Sequence, residues 1–217
     1  MSKPLTIQTI SDFHSPFHHP DAIDFLKEIK RKYKPDEIVC LGDEVDFHSI
    51  SKYDSDPDGW SAGDELIRAI DGLRPLYKLF PEMKICWGNH TIRAYKKAFS
   101  VGLPKAFIKE VREVFKAPPG WVWADKWVID GTTFIHGDSF TSNNWHNATQ
   151  FYSTNVCLGH THARPGVVYN GNRWTMNSGC LLNHSAYSFS YSKLNKVQPT
   201  LGTGIISNGV PQFIPLF

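Results

Sequence analysis

The chain has 217 residues, 41% hydrophobic and 13% aromatic, enough to build a sizeable core and too many for a disordered chain. Its 23 Lys and Arg against 21 Asp and Glu leave a net charge of +2, which argues against a polybasic protein held mainly by phosphate neutralisation. No apolar run approaches the ~18 residues of a membrane span, and MSKPLTIQTISDFH lacks a charged lead with an apolar stretch, so a soluble, cytoplasmic protein without membrane contact is expected.

Residues 5–11 (LTIQTIS) form a short apolar run ending at Asp12 and read as a buried strand. Residues 20–33 open with Pro20-Asp21 and carry Ile23, Leu26, Ile29 and Tyr33 at helical spacing. EIVCL at 37–41 is a second strand that delivers Gly42-Asp43. Residues 64–79 repeat the helical pattern with Leu66, Ile67, Ile70, Leu73 and Leu76, and Pro75 is expected to kink or end that helix. MKICW at 83–87 runs into Gly88-Asn89-His90, and a third helix over 104–116 is expected to bury Phe107, Val111, Val114 and Phe115. Trp121 and Trp123 alternate in strand fashion and, with Trp127, read as packing residues rather than base-stacking ones. The runs at 132–135 and 155–158 end at His136 and Gly159-His160. Asp130-Gly131, Asn170-Gly171 and Asn208-Gly209 each separate β-rich runs and mark hairpins. The expectation is one α/β domain over 1–217 with two partly antiparallel sheets covered by helices. Cys40, Cys86, Cys157 and Cys180 lie far apart, three of them in apolar runs, and read as reduced core residues.

Five strands thus end in polar clusters, where open α/β sheets place their ligand sites. The clusters spell Asp12-Phe13-His14, Gly42-Asp43-Glu44-Val45-Asp46, Gly88-Asn89-His90, His136 and Gly159-His160-Thr161-His162. Their carboxylate, amide and imidazole donors form a mixed oxygen and nitrogen set without thiolate, suited to first-row divalent ions. One ion has no use for so many donors, whereas two ions sharing a carboxylate do. Asp-x-His and His-x-His put two side chains on one side, because side chains alternate with period two.

This ordered set resembles the calcineurin-like metallophosphoesterase superfamily, whose blocks run DxH, GDxxD, GNH, H and GHxH. All five occur between residues 12 and 162. The resemblance implies a four-layer α/β/β/α sandwich of two mixed sheets flanked by helices. It further implies that Asp12, His14 and His162 hold one metal, that Asn89, His136 and His160 hold another, and that Asp43 bridges them. Two divalent cations follow, Mn first, with Fe, Ni, Co or Zn as alternatives. His90 would stand beside the leaving-group oxygen, with Asp46 orienting it and raising its pKa.

The implied activity is hydrolysis of a phosphoester by a two-metal-activated hydroxide. The expected substrate is a nucleotide or other small phosphoester, making the chain a phosphodiesterase or phosphatase. An exonuclease-like nuclease is the alternative, and a non-catalytic scaffold of the same fold is a further one. The protein Ser/Thr phosphatases of the superfamily continue the second block as Asp-Arg-Gly, with the Arg gripping phosphate. Here Phe47-His48 follows Asp46, which disfavours that branch.

Other features have duller explanations. His18, beside His19 in a Pro-flanked loop, and His48 are candidates to line the site mouth, and Arg164 is a candidate contact for an anionic substrate. His146 and His184 read as surface or hydrogen-bonding residues. Residues 93–116 hold seven basic and two acidic side chains, and Lys105, Lys109, Arg112 and Lys116 read as the solvated stripe of the third helix. A nucleic-acid partner is possible on that stripe, although net charge does not indicate one. Asp54-x-Asp56-x-Asp58-Gly59 with Glu65 fits a calcium-loop pattern but reads as an Asp-rich turn that caps the next helix.

Overall fold

The computed structural model describes residues 5–52, 56–189 and 198–217. One sheet has the order β11-β10-β1-β2-β3-β4 and the other the order β5-β6-β7-β9-β8. In the first, β1 (Thr6–Ile10), β2 (Glu37–Cys40), β3 (Glu82–Cys86) and β4 (Gly120–Ala124) run parallel. β10 (Gly202–Ser207) pairs antiparallel to β1, and β11 (Val210–Pro215) antiparallel to β10. In the second, β6 (Thr132–Phe134), β7 (Asn155–Leu158) and β9 (Arg173–Asn177) are parallel, flanked by antiparallel β5 (Trp127–Ile129) and β8 (Gly166–Asn170). Both sheets are mixed, as expected.

Period-two alternation builds the layers. Ile7, Val39, Leu41 and Cys86 point between the sheets and meet Phe134, Cys157, Trp174 and Met176. Ile10, Cys40, Met83 and Ile85 point the other way, onto Leu26 of α1 (Ala22–Tyr33) and Leu73 and Leu76 of α2 (Ala62–Leu79). Behind the second sheet, Val156 and Leu158 pack against Trp145 and against Ala148 of α5 (Ala148–Tyr152). The result is helix, sheet, sheet, helix. All four cysteines are buried free thiols.

Three details depart from the sequence reading. Pro75 neither ends α2 nor breaks its packing: it sits on the exposed face, while Leu73 and Leu76 on either side are fully buried and hold the helix to Leu79. The helix expected over 104–116 is two short pieces, a 3₁₀ turn at Lys105–Phe107 and α4 (Val111–Phe115), with Ile108 extended between them. Phe107 is therefore 76% exposed instead of buried, and the lysines and arginine from 105 to 116 do not share one helical face. A separate helix, α3 (Arg93–Ser100), precedes them, and none of its residues is buried.

Two of the three hairpins turn at the marked places. Asp130 and Gly131 both take positive φ (48° and 71°), as do Asn208 and Gly209 (51° and 77°), which suits two-residue turns between right-twisted strands. At β8–β9 the pairing of Asn170 with Arg173 puts Gly171-Asn172 in the turn, one residue later than read, with Gly171 supplying the positive φ of 65°.

Candidate metal centre

Every block lands beyond the carboxyl end of its strand: β1 carries Asp12 and His14, β2 Asp43 and Asp46, β3 Asn89 and His90, β6 His136, and β7 His160 and His162. Local backbone geometry concentrates there. Asp12, His14, Asp43, His160 and His162 all have φ between 49° and 66°, a left-handed conformation costly to L residues and held only when surroundings over-determine it. The surroundings are backbone hydrogen bonds between the loops. His14 N donates to Asp43 O at 2.9 Å, Leu181 N to Asp12 O at 3.1 Å, and Thr200 N to His162 O at 2.8 Å. Gly88 and Gly159 leave room for the carboxylates, because a Cβ at Gly88 would overlap the Asp43 side chain and one at Gly159 would meet Asp12 Oδ2 at 2.5 Å.

Two groups of ligand atoms result. In the first, His162 Nε2 lies 2.9 Å from Asp12 Oδ1 and 3.2 Å from His14 Nε2. His14 Nδ1 donates to Asp46 Oδ1 at 2.8 Å, so its Nε2 turns a lone pair into the group. In the second, His136 Nδ1 donates to Leu41 O at 2.8 Å, leaving Nε2 as a lone pair. Around that lone pair stand Asn89 Oδ1 at 2.8 Å, His160 Nδ1 at 3.1 Å and Asp43 Oδ2 at 3.2 Å. Asp43 Oδ1 accepts from His90 N at 2.8 Å, whereas its Oδ2 is buried with no hydrogen-bond partner despite the nearby imidazole. So many acceptor atoms around a buried carboxylate oxygen call for positive charge among them, as imidazole protons or as a cation.

Electrostatics express the same demand. Burial pushes the His14 imidazole down, but Asp12, Asp46 and Asp43 overturn that and carry it to about 10. Burial likewise lowers His136, and Asp43 and Asp12 raise it to about 9. For Asp12 and Asp43 burial works upward, yet the surrounding histidines hold both well below the usual carboxylate range. His160 goes the other way, to about 4, through burial and the neighbouring His136. These donors fit divalent cations, and the clusters Asp12-His14-His162 and Asp43-His136-His160 are compatible with a binuclear centre.

His90 has the expected contact with Asp46 and a second partner that the sequence did not suggest. Its Nδ1 lies 2.8 Å from both Asp46 O and Asp46 Oδ1, so Asp46 does orient it. Its Nε2, however, accepts from Arg93 Nη2 at 2.9 Å. Burial outweighs the upward pull of Asp43 and Asp46, and the pKa of His90 falls below its ordinary value. The positive charge beside this imidazole is therefore Arg93, whose Nη1 also donates to Asp46 O (2.9 Å) and Phe47 O (3.1 Å).

The centre opens into a cavity of about 1250 Å³ lined by His90, His160 and His48, among others. One wall is α3, through Arg93, Lys96, Lys97 and Ser100. The sequence reading counted these basic residues but placed no helix here and put its stripe at Lys105, Lys109, Arg112 and Lys116; the 0, 3, 4 spacing of Arg93, Lys96 and Lys97 directly after the third block was the available signal. His18 does not line the cavity: it stacks on Phe13 (centroids 4.3 Å apart), and Gly72 of α2 is so close that a Cβ there would meet its Cε1 at 2.9 Å. Arg164 is exposed and donates to Asn143 Oδ1 at 3.0 Å, also outside the cavity lining.

The remaining readings resolve simply. Of the calcium-loop residues, Asp54 lies outside the described residues, and Glu65 is buried, accepting from His48 N (2.7 Å) and Ser49 N (2.8 Å). The cap of α2 is Ser61, accepting from Asp64 N, not an aspartate. The tryptophans pack: Trp121 Nε1 donates to Phe80 O, Trp127 Nε1 to Ile85 O, and Trp123 Nε1 to Glu44 Oε1. Burial raises the Glu44 carboxyl to about 7.

Similar folds are known. A metallophosphoesterase from Sphaerobacter thermophilus superposes with a TM-score of 0.53 at 14% identity, covering 99% of this chain and 89% of that one. Yfce, a phosphoesterase from E. coli, gives 0.51 at 15% identity over 97% and 93% of the two chains. Vps29 from Chaetomium thermophilum gives 0.50 at 13% identity over 98% and 95%. No curated protein sequence matches the chain. The family model for calcineurin-like phosphoesterases matches residues 5–190, from β1 through every ligand-bearing strand end, and the chain belongs to that family of hydrolases acting on phosphoester bonds.

Proposed function

We propose that this chain hydrolyses its phosphoester with two divalent cations, held by Asp12, His14 and His162 on one side and by Asn89, His136 and His160 on the other, with Asp43 between them. The observation that carries the reading is Asp43 Oδ2, buried without a hydrogen-bond partner at the junction of the two ligand groups. Manganese is the first candidate, since the donors are oxygen and nitrogen only. When bound, the ions supply Lewis acidity to the phosphoryl oxygens and lower the pKa of the attacking water.

The chain's own residues do the rest. Asp46 receives Nδ1–H of both His14 and His90, which aims each Nε2 into the site. Arg93 places a fixed positive charge at His90 Nε2, where negative charge on a phosphoryl or departing oxygen would develop. With its Nδ1–H on Asp46 and its Nε2 accepting from Arg93, His90 holds the guanidinium in place, and Arg93 is the group that would face that oxygen. Against the scaffold alternative, the sequence keeps a residue able to ligate a metal at every ligand position of the five blocks.

The test is hydrolysis of bis-p-nitrophenyl phosphate and p-nitrophenyl phosphate side by side with added manganese. Turnover of either that Asp43→Asn abolishes, with calorimetry showing two Mn²⁺ equivalents in the parent, is the expected result. Diester turnover makes the chain a phosphodiesterase, and turnover of the monoester alone makes it a phosphatase. Tight metal binding with neither ester cleaved would overturn the catalytic reading.

A further inference from the structure

The cavity is larger than the reaction at its floor requires. Small-molecule pockets run to roughly 300–1,000 Å³, and this one holds about 1250 Å³. Apart from Lys52, its lysine and arginine side chains all come from α3. Arg93, Lys96, Lys97 and Ser100 occupy one face of α3, and the row starts at the guanidinium that touches His90 Nε2. At a rise of about 1.5 Å per residue, the row leads some 10 Å away from the centre. Lys96 and Lys97 are exposed. Three carboxylates outside the ligand set, Asp46, Asp56 and Asp138, also line the cavity.

Beyond the row, outside the cavity lining, the chain exposes two aromatic side chains. Phe99, next to Ser100, is 53% exposed, and Phe107 in the following 3₁₀ turn is 76% exposed. α3 packs on the core only through the partly buried Tyr95, and the face it turns to the cavity is charged. Cationic side chains in a row with exposed rings are what a single-stranded polynucleotide uses, phosphates on the cations and bases on the ring faces. A small nucleoside polyphosphate needs the cations but not the rings or the excess volume.

We infer that α3 is the binding wall for a single-stranded polynucleotide, whose scissile phosphodiester lies at His90 and Arg93 and whose neighbouring phosphates follow Lys96 and Lys97. This rests on the phosphoesterase reading above and names its substrate class. The reaction adds water across one P–O bond, with hydroxide bonding to phosphorus and the proton passing to the departing sugar oxygen.

Binding and cleavage are measured separately, so that the two readings fail separately. Fluorescence anisotropy of a labelled single-stranded 12-mer is followed across a salt series with the Asp43→Asn protein, which cannot consume the probe. The same protein carrying Lys96→Gln and Lys97→Gln should bind at least 10-fold more weakly. Its log–log salt slope should be shallower by about 1.4, at ~0.7 for each phosphate that is no longer neutralised. Lys105→Gln with Lys109→Gln, outside the cavity lining, should bind as the parent does. In the Asp43-intact protein the Lys96/Lys97 pair should lower the preference for the oligonucleotide over bis-p-nitrophenyl phosphate, chiefly through KM. No 12-mer binding at low salt, or an unchanged salt slope in the Lys96/Lys97 pair, would overturn the inference even if bis-p-nitrophenyl phosphate is hydrolysed. So would ATP displacing the 12-mer at equal concentration, which would make the wall a polyphosphate site. Binding with the predicted slope would uphold the wall even if the catalytic reading failed.

Discussion

Glu65 sits in a sequence context that suggests a calcium ligand, and the structure uses it as a backbone anchor instead. Its two carboxylate oxygens accept the backbone N–H groups of His48 and Ser49, at 2.7 and 2.8 Å, at the start of the 3₁₀ turn His48–Ile50. That turn supplies His48 and Ile50 to the cavity. Glu65 itself is fully buried on α2. Hydrogen bonds to a charged group are each worth about 1.5–3 kcal/mol. In Glu65→Gln one oxygen remains, and the amide that replaces the other points a donor at a donor. The loss of one such bond plus an unsatisfied N–H gives about 2–3 kcal/mol. Glu65→Ala removes both acceptors and leaves a small cavity, for about 4–5 kcal/mol. Urea unfolding of the metal-free protein at pH 7 reads the global part. Amide exchange at His48 and Ser49 reads any part released by local melting of the turn. If Glu65→Gln unfolds within about 0.5 kcal/mol of the parent and both amides keep their protection, the carboxylate does not anchor this wall of the cavity.

Further outcomes follow from other parts of the fold. Gly88→Ala drives a Cβ into the Asp43 carboxylate, so calorimetry with Mn²⁺ should lose at least one of two equivalents while circular dichroism stays native. Two full equivalents in that variant would refute the steric account. Gly63 offers open space instead, with Ser61 Oγ 3.9 Å from an added Cβ, so Gly63→Ala should raise the unfolding free energy by about 0.5–1 kcal/mol, and a destabilised variant would contradict this. His18, half-buried with Nδ1 unpartnered, is pushed by burial and by His19 from 6.5 to about 4. Its folded pKa lies below the unfolded one, so its neutral form stabilises the protein fully above pH 6.5. That contribution is lost as pH falls toward 4, by up to about 2–3 kcal/mol. In His18→Leu the decline in unfolding free energy between pH 6.5 and 4 should be shallower by that amount, and parallel pH curves for the two proteins would show that the ring does not titrate as a buried base.

The placement of the candidate ligands was legible because each block carries its own structural context. A strand buried on both faces announces itself by composition alone, and the residue after it must leave the sheet at a fixed end. Asp12, Asp43, Asn89, His136 and His160 could therefore be placed on one edge from the strand pattern alone. Hairpins were legible for a similar reason, since positive φ at two adjacent residues leaves few choices beyond Asn or Asp with Gly. His18 was misplaced because sequence nearness to His14 says nothing about which way a ring turns, and Phe13 offered it a stacking partner under α2.

The failures at 93–116 have one physical cause. Apolar periodicity finds a helix by the face it buries in protein, and α3 offers only the partly buried Tyr95, while the face bordering the cavity is charged. The apolar spacing that was found, Phe107 to Phe115, crosses a break that hydrogen bonding imposes. Tyr95 Oη donates to the Lys109 carbonyl at 2.7 Å, and Ile108 is extended, so no continuous helix links the two ends. A cavity wall thus erases the signal by which helices are recognised while keeping its charges in sequence order. Where basic residues recur at 0, 3 and 4 directly after a ligand-bearing block and no apolar stripe accompanies them, a helix lining the site is the better reading than a loop. Arg93, Lys96 and Lys97 meet that description, and the guanidinium at His90 Nε2 is the point where the cavity wall and the metal centre become one site.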